Sequence, residues 1–304
     1  AAVADEETGC DYGTRWLVEN HPDLLRAEYA LNELGGMMAP MAGRRVYPIQ
    51  VAEKGICWLK MRARGQAGHG SAPHGDNALV HLGQALVRIG DGSGMPLHIT
   101  EPVASFVRTL AAGLPFPQRM LLRGLLRPRL APSVLARLPP DQATFFRAVL
   151  SNTVTPTCLR AGVKTNVIPS QAEAHLDCRL LPGYTADDAL HEIGAIVGPQ
   201  VTLEPIRVSP GVKFDSNTEF FRLLQRTLSA HDPAALPLPY MSPAFTDAHQ
   251  LSRLGITVYG FTPGHPPEGL SLLRLIHAHD ERIPVASLHF GMRVLWEVVK
   301  EFCC

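Results

Sequence analysis

The chain contains 304 residues, of which 46% are hydrophobic, and its 28 lysines and arginines balance 28 aspartates and glutamates. This length is enough for two domains with proper cores. The balanced charge excludes a protein that is drawn as a whole onto nucleic acid or a membrane by electrostatic attraction. No apolar run reaches the ~18–20 residues that a membrane-crossing helix requires.

The first 52 residues predict the beginning of an α/β domain. A strand is predicted over residues 1–4, a helix over 12–20, and strands over 27–32 and 46–51. Because strands alternate with a helix in this stretch, we interpret it as the first part of a layered α/β unit.

A second unit is predicted between residues 53 and 208. Residues 56–64 alternate between apolar and polar side chains with the period of a strand. Thr185 is a favourable N-cap residue for the helix that follows it. The further predicted elements are a helix over 77–89, strands over 153–162 and 172–181, a helix over 186–197 and a strand over 201–208. This order of strands and helices is typical of the ferredoxin-like fold.

Residues 209–304 return to the α/β pattern. The predicted elements are helices over 218–230 and 245–254, a strand over 257–261 and a closing helix over 285–302. The smaller unit is therefore predicted to be inserted into a larger α/β domain.

Residues 102–140 fit the strand and helix pattern of neither unit. They contain no acidic residue. Their basic residues are Arg108, Arg119, Arg123, Arg127, Arg129 and Arg137. We favour a helical insertion that packs on its own domain or on a second subunit. The alternative is a basic, apolar lid that contacts a membrane surface or an acyl chain.

The cysteines follow neither the spacing of a zinc site nor that of a small disulfide framework. They are Cys10, Cys57, Cys158, Cys178, Cys303 and Cys304. Free and mostly buried thiols in a reducing compartment are the simplest interpretation, with Cys303 and Cys304 exposed. This interpretation predicts a cytoplasmic location.

The adjacent carboxylates of Glu6 and Glu7 are the first candidates for catalytic chemistry. Successive side chains of a strand point to opposite sides, so a pair at the end of a buried strand can present one carboxylate to a metal and one to water. The pair alone is weak support, since most charged residues lie on a solvated surface.

Other motifs accompany this pair in a characteristic order. They are ADEE at 4–7, LNELGG at 31–36, GHGSAPH at 68–74, NVIP at 166–169, DCRLLPG at 177–183 and IHAHDER at 276–282. Together they resemble the di-zinc metallopeptidases of family 20, which include aminoacylases, acetylornithine deacetylase, succinyl-diaminopimelate desuccinylase and glycine-X carboxypeptidases. The resemblance covers nearly the whole chain. It implies a three-layer α/β/α catalytic domain (residues 1–52 and 209–304) with an inserted ferredoxin-like α+β lid and dimerisation domain (53–208).

The resemblance implies a role for each matching residue. Glu6 matches the general base that takes a proton from the attacking water. Glu7, Glu33 and His277 match ligands of two Zn²⁺ ions, for which Co²⁺ or Mn²⁺ are alternatives. His69 matches a histidine that one subunit of a homodimer supplies to the oxyanion of the other, although a surface loop histidine stays an alternative.

The resemblance also implies a set of substrate contacts. Asn166 and Arg179 match residues that hold the free carboxylate of a small peptide or an N-acyl amino acid, a task that suits a guanidinium group. Arg179 as an ordinary strand-surface arginine stays open. Thr246 and Asp247 match a substrate-side loop, in which Ala244 and Phe245 replace the family's usual glycine pair.

Part of the family's metal site has no counterpart in this sequence. A His-x-Asp and a later bridging aspartate normally precede the position of Glu6. We therefore expect an incomplete metal site and interpret the chain as an N-terminally truncated piece of a longer hydrolase, inactive in this form. The alternative is a non-catalytic dimerisation or binding module, or a pseudoenzyme, derived from the same family. Neither interpretation includes a nucleic-acid partner.

Overall fold

The computed structural model describes residues 1–267, 275 and 279–304. The first half of the chain forms α1 Thr14–Asn20, β1 Tyr29–Asn32, β2 Ala39–Met41, β3 Arg44–Glu53, β4 Gly55–Arg64, β5 Gly68–His69, α2 Ala78–Ile89, α3 Glu101–Ala112, α4 Phe116–Gly124, α5 Ala131–Leu135 and α6 Pro140–Leu150. The second half forms β6 Thr153–Ala161, β7 Val167–Ile168, β8 Gln171–Leu180, α7 Ala186–Val197, β9 Val201–Ser209, β10 Val212–Lys213, α8 Glu219–His231, β11 Ala235–Ser242, α9 Ala248–Ser252, β12 Thr257–Gly260 and α10 Val285–Cys303.

The predicted strand over residues 1–4 is wrong. No regular structure precedes a short 3₁₀ turn at Glu6–Thr8, and Asp5 and Gly9 on either side of it have positive φ angles of 71° and 114°. The Asp5 carboxylate accepts hydrogen bonds from the Thr8 hydroxyl and from the Tyr12 amide. This local side-chain pairing offers the backbone a turn in place of a strand. Glu6 and Glu7 therefore lie on a turn and not at a strand end.

Strand β3 is the centre of the larger sheet. β11 runs parallel to β3 along one side, and β2, β12 and β10 pair antiparallel with successive parts of the other side. β1 extends the sheet beyond β12, to which it is parallel. The carboxyl ends of β3 and β11 meet at Glu53 and Ser242.

Alternation along β3 builds three layers. Tyr47, Ile49 and Val51 point to one face, where they pack with apolar residues of α8 and α10. Val46 and Ala52 point to the other face, where they pack with apolar residues of α3 to α6. Because both faces of the sheet are buried under helices, the predicted three-layer α/β/α arrangement is confirmed.

The smaller sheet has the strand order β6-β8-β4-β9, and every neighbouring pair is antiparallel. The apolar positions of β4 predicted to share a face, such as Leu59 and Met61, are buried under α2 and α7. Thr185 begins α7 with a capping box that it forms with Asp188. The ferredoxin-like prediction is therefore confirmed. The domain boundaries at residues 52/53 and 208/209 remain predictions.

The arginine-rich segment is helical, as the favoured interpretation predicted. It comprises α3, α4 and α5, and each of these helices has a proline in its first turn, where the missing amide proton costs no hydrogen bond. Buried apolar side chains of these helices share a core with Leu238 and Met241 of β11. In the described part of the chain, no helix is long and apolar enough to cross a membrane.

The cysteines of the described residues are free. Cys10, Cys57 and Cys178 are buried, while Cys158 is exposed together with Cys303 and Cys304. The exposure of the two terminal cysteines was predicted from the sequence. Three of the six thiols are buried, so the expectation that most of them would be buried is only half met.

Candidate functional site

The Glu6 carboxyl group lies among other carboxyl groups. It shares a hydrogen bond with Glu33, which directly follows β1, and Glu7 and Asp247 also contribute negative charge nearby. Partial burial, followed by the repulsion from these three carboxylates, raises the pKa of Glu6 to about 7. The structure therefore brings together Glu6, Glu7 and Glu33, three residues that the sequence analysis assigned to one site.

The floor of this cluster is a buried polar network around Glu53, the last residue of β3. Thr246 Oγ1 donates to Glu53 Oε2 at 2.6 Å, and Gln50 Nε2 donates to the same oxygen at 2.9 Å. Asn32 Nδ2 donates to Thr246 Oγ1 at 3.1 Å. Burial raises the pKa of Glu53 to about 8, and Glu53 Oε1 has no hydrogen-bond partner among the described residues.

Two further residues line the cluster: Asp247, which the sequence matched only to the substrate-side loop, and Cys10, which had no predicted role. The Cys10 thiol is buried, donates to the Glu6 carbonyl at 3.9 Å and lies close to the Asp247 carboxylate, and burial raises the pKa of this thiol. Asp247 Oδ1 is also buried, with no partner among the described residues. Asp247 directly follows Thr246 in the substrate-side loop, and that motif was the signal in the sequence that could place Asp247 near the site. Cys10 carried no motif, and only the turn at Glu6–Thr8 brings it to the site.

Arg207 of β9 connects the smaller sheet to the turn that carries Glu6. Its guanidinium donates to the Gly9 carbonyl at 2.7 Å and to the Asp11 carboxylate at 2.8 Å. Its Cζ also lies 5.7 Å from the centre of the Trp58 ring. A Cβ atom on Gly9 would lie 2.5 Å from this guanidinium, and Gly9 also has a positive φ. Glycine is therefore required where the turn meets Arg207.

The cluster has the donor chemistry of a divalent-metal site without a closed set of ligands. Carboxylate oxygens suit hard cations. The buried oxygens Asp247 Oδ1 and Glu53 Oε1 accept no hydrogen bond from the described residues and are therefore available as ligands of such a cation. Among residues 1–267, 275 and 279–304, however, no three His, Cys, Asp or Glu side chains converge as ligands of one ion. His277, the predicted ligand nearest the C-terminus, lies outside the described residues.

His69 and Asn166 lie next to each other. They flank the short β5–β7 ribbon, in which His69 pairs with Val167 and the Gly70 amide donates to the Asn166 carbonyl at 2.8 Å. Both side chains are exposed, and His69 Nδ1 lies 2.7 Å from Ser71 Oγ. Because its side chain is exposed, His69 is accessible to a second subunit. Its contact with the oxyanion in a partner subunit stays a prediction.

Arg179 and Thr246, the other predicted substrate contacts, already have partners within the chain. Arg179 forms two parallel hydrogen bonds with the Asp177 carboxylate, at 2.8 and 3.0 Å. This pair orients the guanidinium and leaves its remaining donors for a second anion. The Thr246 hydroxyl is fully buried and is occupied by Asn32 and Glu53. Thr246 is therefore placed to support the site from beneath.

Replacing Glu53 by glutamine should stabilise the fold at alkaline pH. Because the pKa of Glu53 is raised in the folded state, folding is penalised as pH rises from about 4.5 to about 8. A glutamine keeps the two accepted hydrogen bonds without a buried charge. Metal-free Glu53→Gln should match the wild type near pH 4.5 and exceed its unfolding free energy by roughly 4–5 kcal/mol near pH 8.5, as measured by urea unfolding.

The matched control for this experiment is Glu173→Gln. Its arginine partner Arg62 holds the pKa of Glu173 below its usual range, so the linkage has the opposite sign. That variant should gain no stability as the pH rises. An equal gain for Glu53→Gln at both pH values would contradict the proposed burial of a titrating carboxylate.

The part of the chain that contains β4, β6 and β8 of the smaller sheet matches a known family model. The model is described as a peptidase dimerisation domain, and it matches residues 51–201. Human N-fatty-acyl-amino acid synthase/hydrolase PM20D1 is 27% identical over 262 residues, which covers 83% of this chain and 50% of that protein. Aminoacylase-1 of Sus scrofa is 24% identical over 304 residues, with coverage of 98% and 62%. The chain thus spans about half the length of the first of these curated relatives.

Solved structures share the fold over nearly the whole chain. The M20 family metallo-carboxypeptidase Sso-CP2 from Sulfolobus solfataricus has a TM-score of 0.62 at 15% identity, covering 97% of this chain and 68% of that chain. Human carnosine dipeptidase 1 has a TM-score of 0.60 at 12% identity, covering 96% of this chain and 63% of that chain. Fold, dimerisation domain and curated relatives agree, and the chain is similar along most of its length to metallopeptidases of the M20 family.

Proposed function

We propose that the protein is a metal-dependent hydrolase that cleaves an amide bond next to a free carboxylate. The observation that carries this proposal is the position of the half-buried Glu6 among Glu7, Glu33 and Asp247. The names of its relatives, an N-fatty-acyl-amino acid hydrolase, an aminoacylase and a carboxypeptidase, support the same bond type. Small peptides and N-acyl amino acids are the proposed substrates.

In this proposal each residue has one task. Glu6 takes a proton from the attacking water and delivers it to the leaving amine. Asn166 and Arg179 hold the substrate carboxylate, and His69 of the partner subunit donates to the oxyanion. Similarity to a metallopeptidase family implies divalent metal ions, which would polarise the amide carbonyl. Glu7 and Glu33 would hold them, with His277 as a further ligand, and two zinc ions remain the predicted complement.

The experiment that tests this proposal compares the hydrolysis of substrates that have a free carboxylate with that of their carboxamides. The metal-loaded protein, with any residues that its gene encodes before Ala1, is incubated with N-acyl amino acids and dipeptides, and released amino acid is quantified. Substrates with a free carboxylate should be cleaved roughly a hundredfold faster than the same compounds with a terminal carboxamide, because a neutral carboxamide cannot accept the charge-assisted hydrogen bonds that Asn166 and Arg179 would donate to a carboxylate. Equal rates, or no release from either series, would refute the proposal.

The second candidate is a non-catalytic dimerisation or binding module. The absence of a closed ligand set among the described residues favours it for the 304-residue chain by itself. We propose that this chain forms a homodimer through the ferredoxin-like unit and is inactive in this form. Sedimentation and metal analysis test this, and two tightly bound zinc ions per chain would contradict it. A cytoplasmic location also stays a prediction.

A further inference from the structure

Four arginines on and after α4 form a local concentration of positive charge. They are Arg119, Arg123, Arg127 and Arg129, and none of them forms an ion pair with an acidic side chain in the described part of the chain. By contrast, Arg108 on the neighbouring helix α3 forms an ion pair with Glu101 at 3.1 Å. The whole chain has a net charge of +0, so this concentration is a property of one surface. We call these four residues the arginine patch.

Large apolar side chains are exposed beside these arginines. Phe116 is 67% exposed, Met120 49% and Leu130 45%. Along α4, Phe116, Met120 and Arg123 recur at the spacing of a single helix face. An exposed hydrophobic residue is ordinary when it is alone. Here three exposed apolar side chains and four arginines lie within one short segment.

The opposite side of the same segment is anchored in the protein core. Leu122 and Leu125 are buried with Val134 and Leu135 in the cluster that also contains residues of α3 and β11. The helix therefore cannot turn its apolar side chains inward, because that position is already filled. The exposed face is presented on a rigid support.

From this geometry we propose that the arginine patch and its apolar side chains dock the protein onto the surface of an anionic phospholipid membrane. Guanidinium groups attract phosphate-bearing headgroups, and Phe116, Met120 and Leu130 insert at the boundary with the acyl chains. A nucleic acid would leave the aliphatic side chains without a partner. A second copy of the same face would oppose four arginines with four arginines. The docking does not depend on the reaction proposed above.

Vesicle co-sedimentation tests this proposal. The full chain should bind vesicles of equimolar phosphatidylcholine and phosphatidylglycerol, bind pure phosphatidylcholine far less, and lose affinity as salt rises. Replacing the four arginines by glutamine should lower the partition coefficient roughly 600-fold, since each cation near such a surface contributes about fivefold. Phe116→Ser with Met120→Ser should lower it about tenfold and keep the salt dependence.

A control variant separates this surface from net charge. Arg64, Arg160, Lys164 and Arg293 are exposed cations elsewhere, and replacing all four by glutamine removes the same charge. That variant should bind vesicles within about twofold of the wild type if the patch is the docking surface. Equal losses in both quadruple variants, equal binding to both lipid compositions, or binding to polyanionic RNA without binding to vesicles would overturn the proposal. Thermal unfolding is measured for every variant, so that a loss of binding is not mistaken for a loss of folding.

Discussion

In the metal-loaded protein, with any residues that its gene encodes before Ala1, replacing Glu6 by glutamine is expected to lower kcat/KM about a thousandfold for hydrolysis of an N-acyl amino acid. Glutamine has nearly the same shape as glutamate but cannot accept and release a proton. Partial burial and the neighbouring Glu33, Glu7 and Asp247 raise the pKa of Glu6 to about 7. A carboxylate with a pKa near neutrality can both take a proton from water and give it to the departing amine.

The control for this prediction is Glu28→Gln, which removes an exposed carboxylate outside the cluster. Its kcat/KM should stay within about twofold of the wild type. Metal content and thermal stability are measured for both variants, so that a loss of turnover is not mistaken for a loss of folding. Turnover by Glu6→Gln within tenfold of the wild type would remove Glu6 as the general base, even if the hydrolase proposal itself survived.

Prediction of the fold worked best where periodicity and capping agree. In β4 the side chains alternate with the period of a strand, and the structure buries Cys57, Leu59 and Met61 on one face. At α7, Thr185 provides both the predicted N-cap and a capping box. These signals are local, because strand alternation and helix capping depend on residues only a few positions apart.

Prediction failed at the N-terminal turn because two local signals compete there. Residues 1–4 are a short apolar run, which is compatible with a strand but too short to specify one. The Asp5 side chain instead accepts hydrogen bonds from Thr8 and Tyr12, and the chain turns. The acidic pair was found from its motif, while its backbone conformation depended on contacts that the motif does not encode.

The composition of the site was predicted in part, because its members come from distant parts of the chain. Glu33 followed from a motif, but the burial of Glu53 depends on Thr246, which lies 193 residues away. Cys10 and Arg207 reach the same region through the turn and through β9. Contacts across such separations are set by sheet register, which a single sequence does not reveal.

The second large effect concerns Lys54, at the junction where the chain leaves β3 for β4. Lys54 is fully buried, and its ammonium donates to the carbonyls of Ala148 and Ser151 at 3.0 and 2.8 Å and to the Thr153 hydroxyl at 3.0 Å. The two carbonyls lie at the end of α6, where a cation compensates the unpaired acceptors of the last turn. One side chain thus joins α6 and β6 to the junction between the sheets.

Lys54→Met should lower the unfolding free energy by about 3 kcal/mol near pH 9, because it leaves buried carbonyl groups without donors. Burial lowers the pKa of Lys54 to about 7, so the penalty for its charge is complete below that pH and is relieved as the pH rises. The deficit of the variant should therefore shrink to about 1 kcal/mol near pH 7. Lys164→Met, at an exposed position, should show neither effect. Urea unfolding measures the stability deficit of Lys54→Met at both pH values. A larger deficit at pH 7 than at pH 9 would mean that the buried ammonium stabilises the fold through its charge. The junction would then depend on an ion pair instead of these three hydrogen bonds.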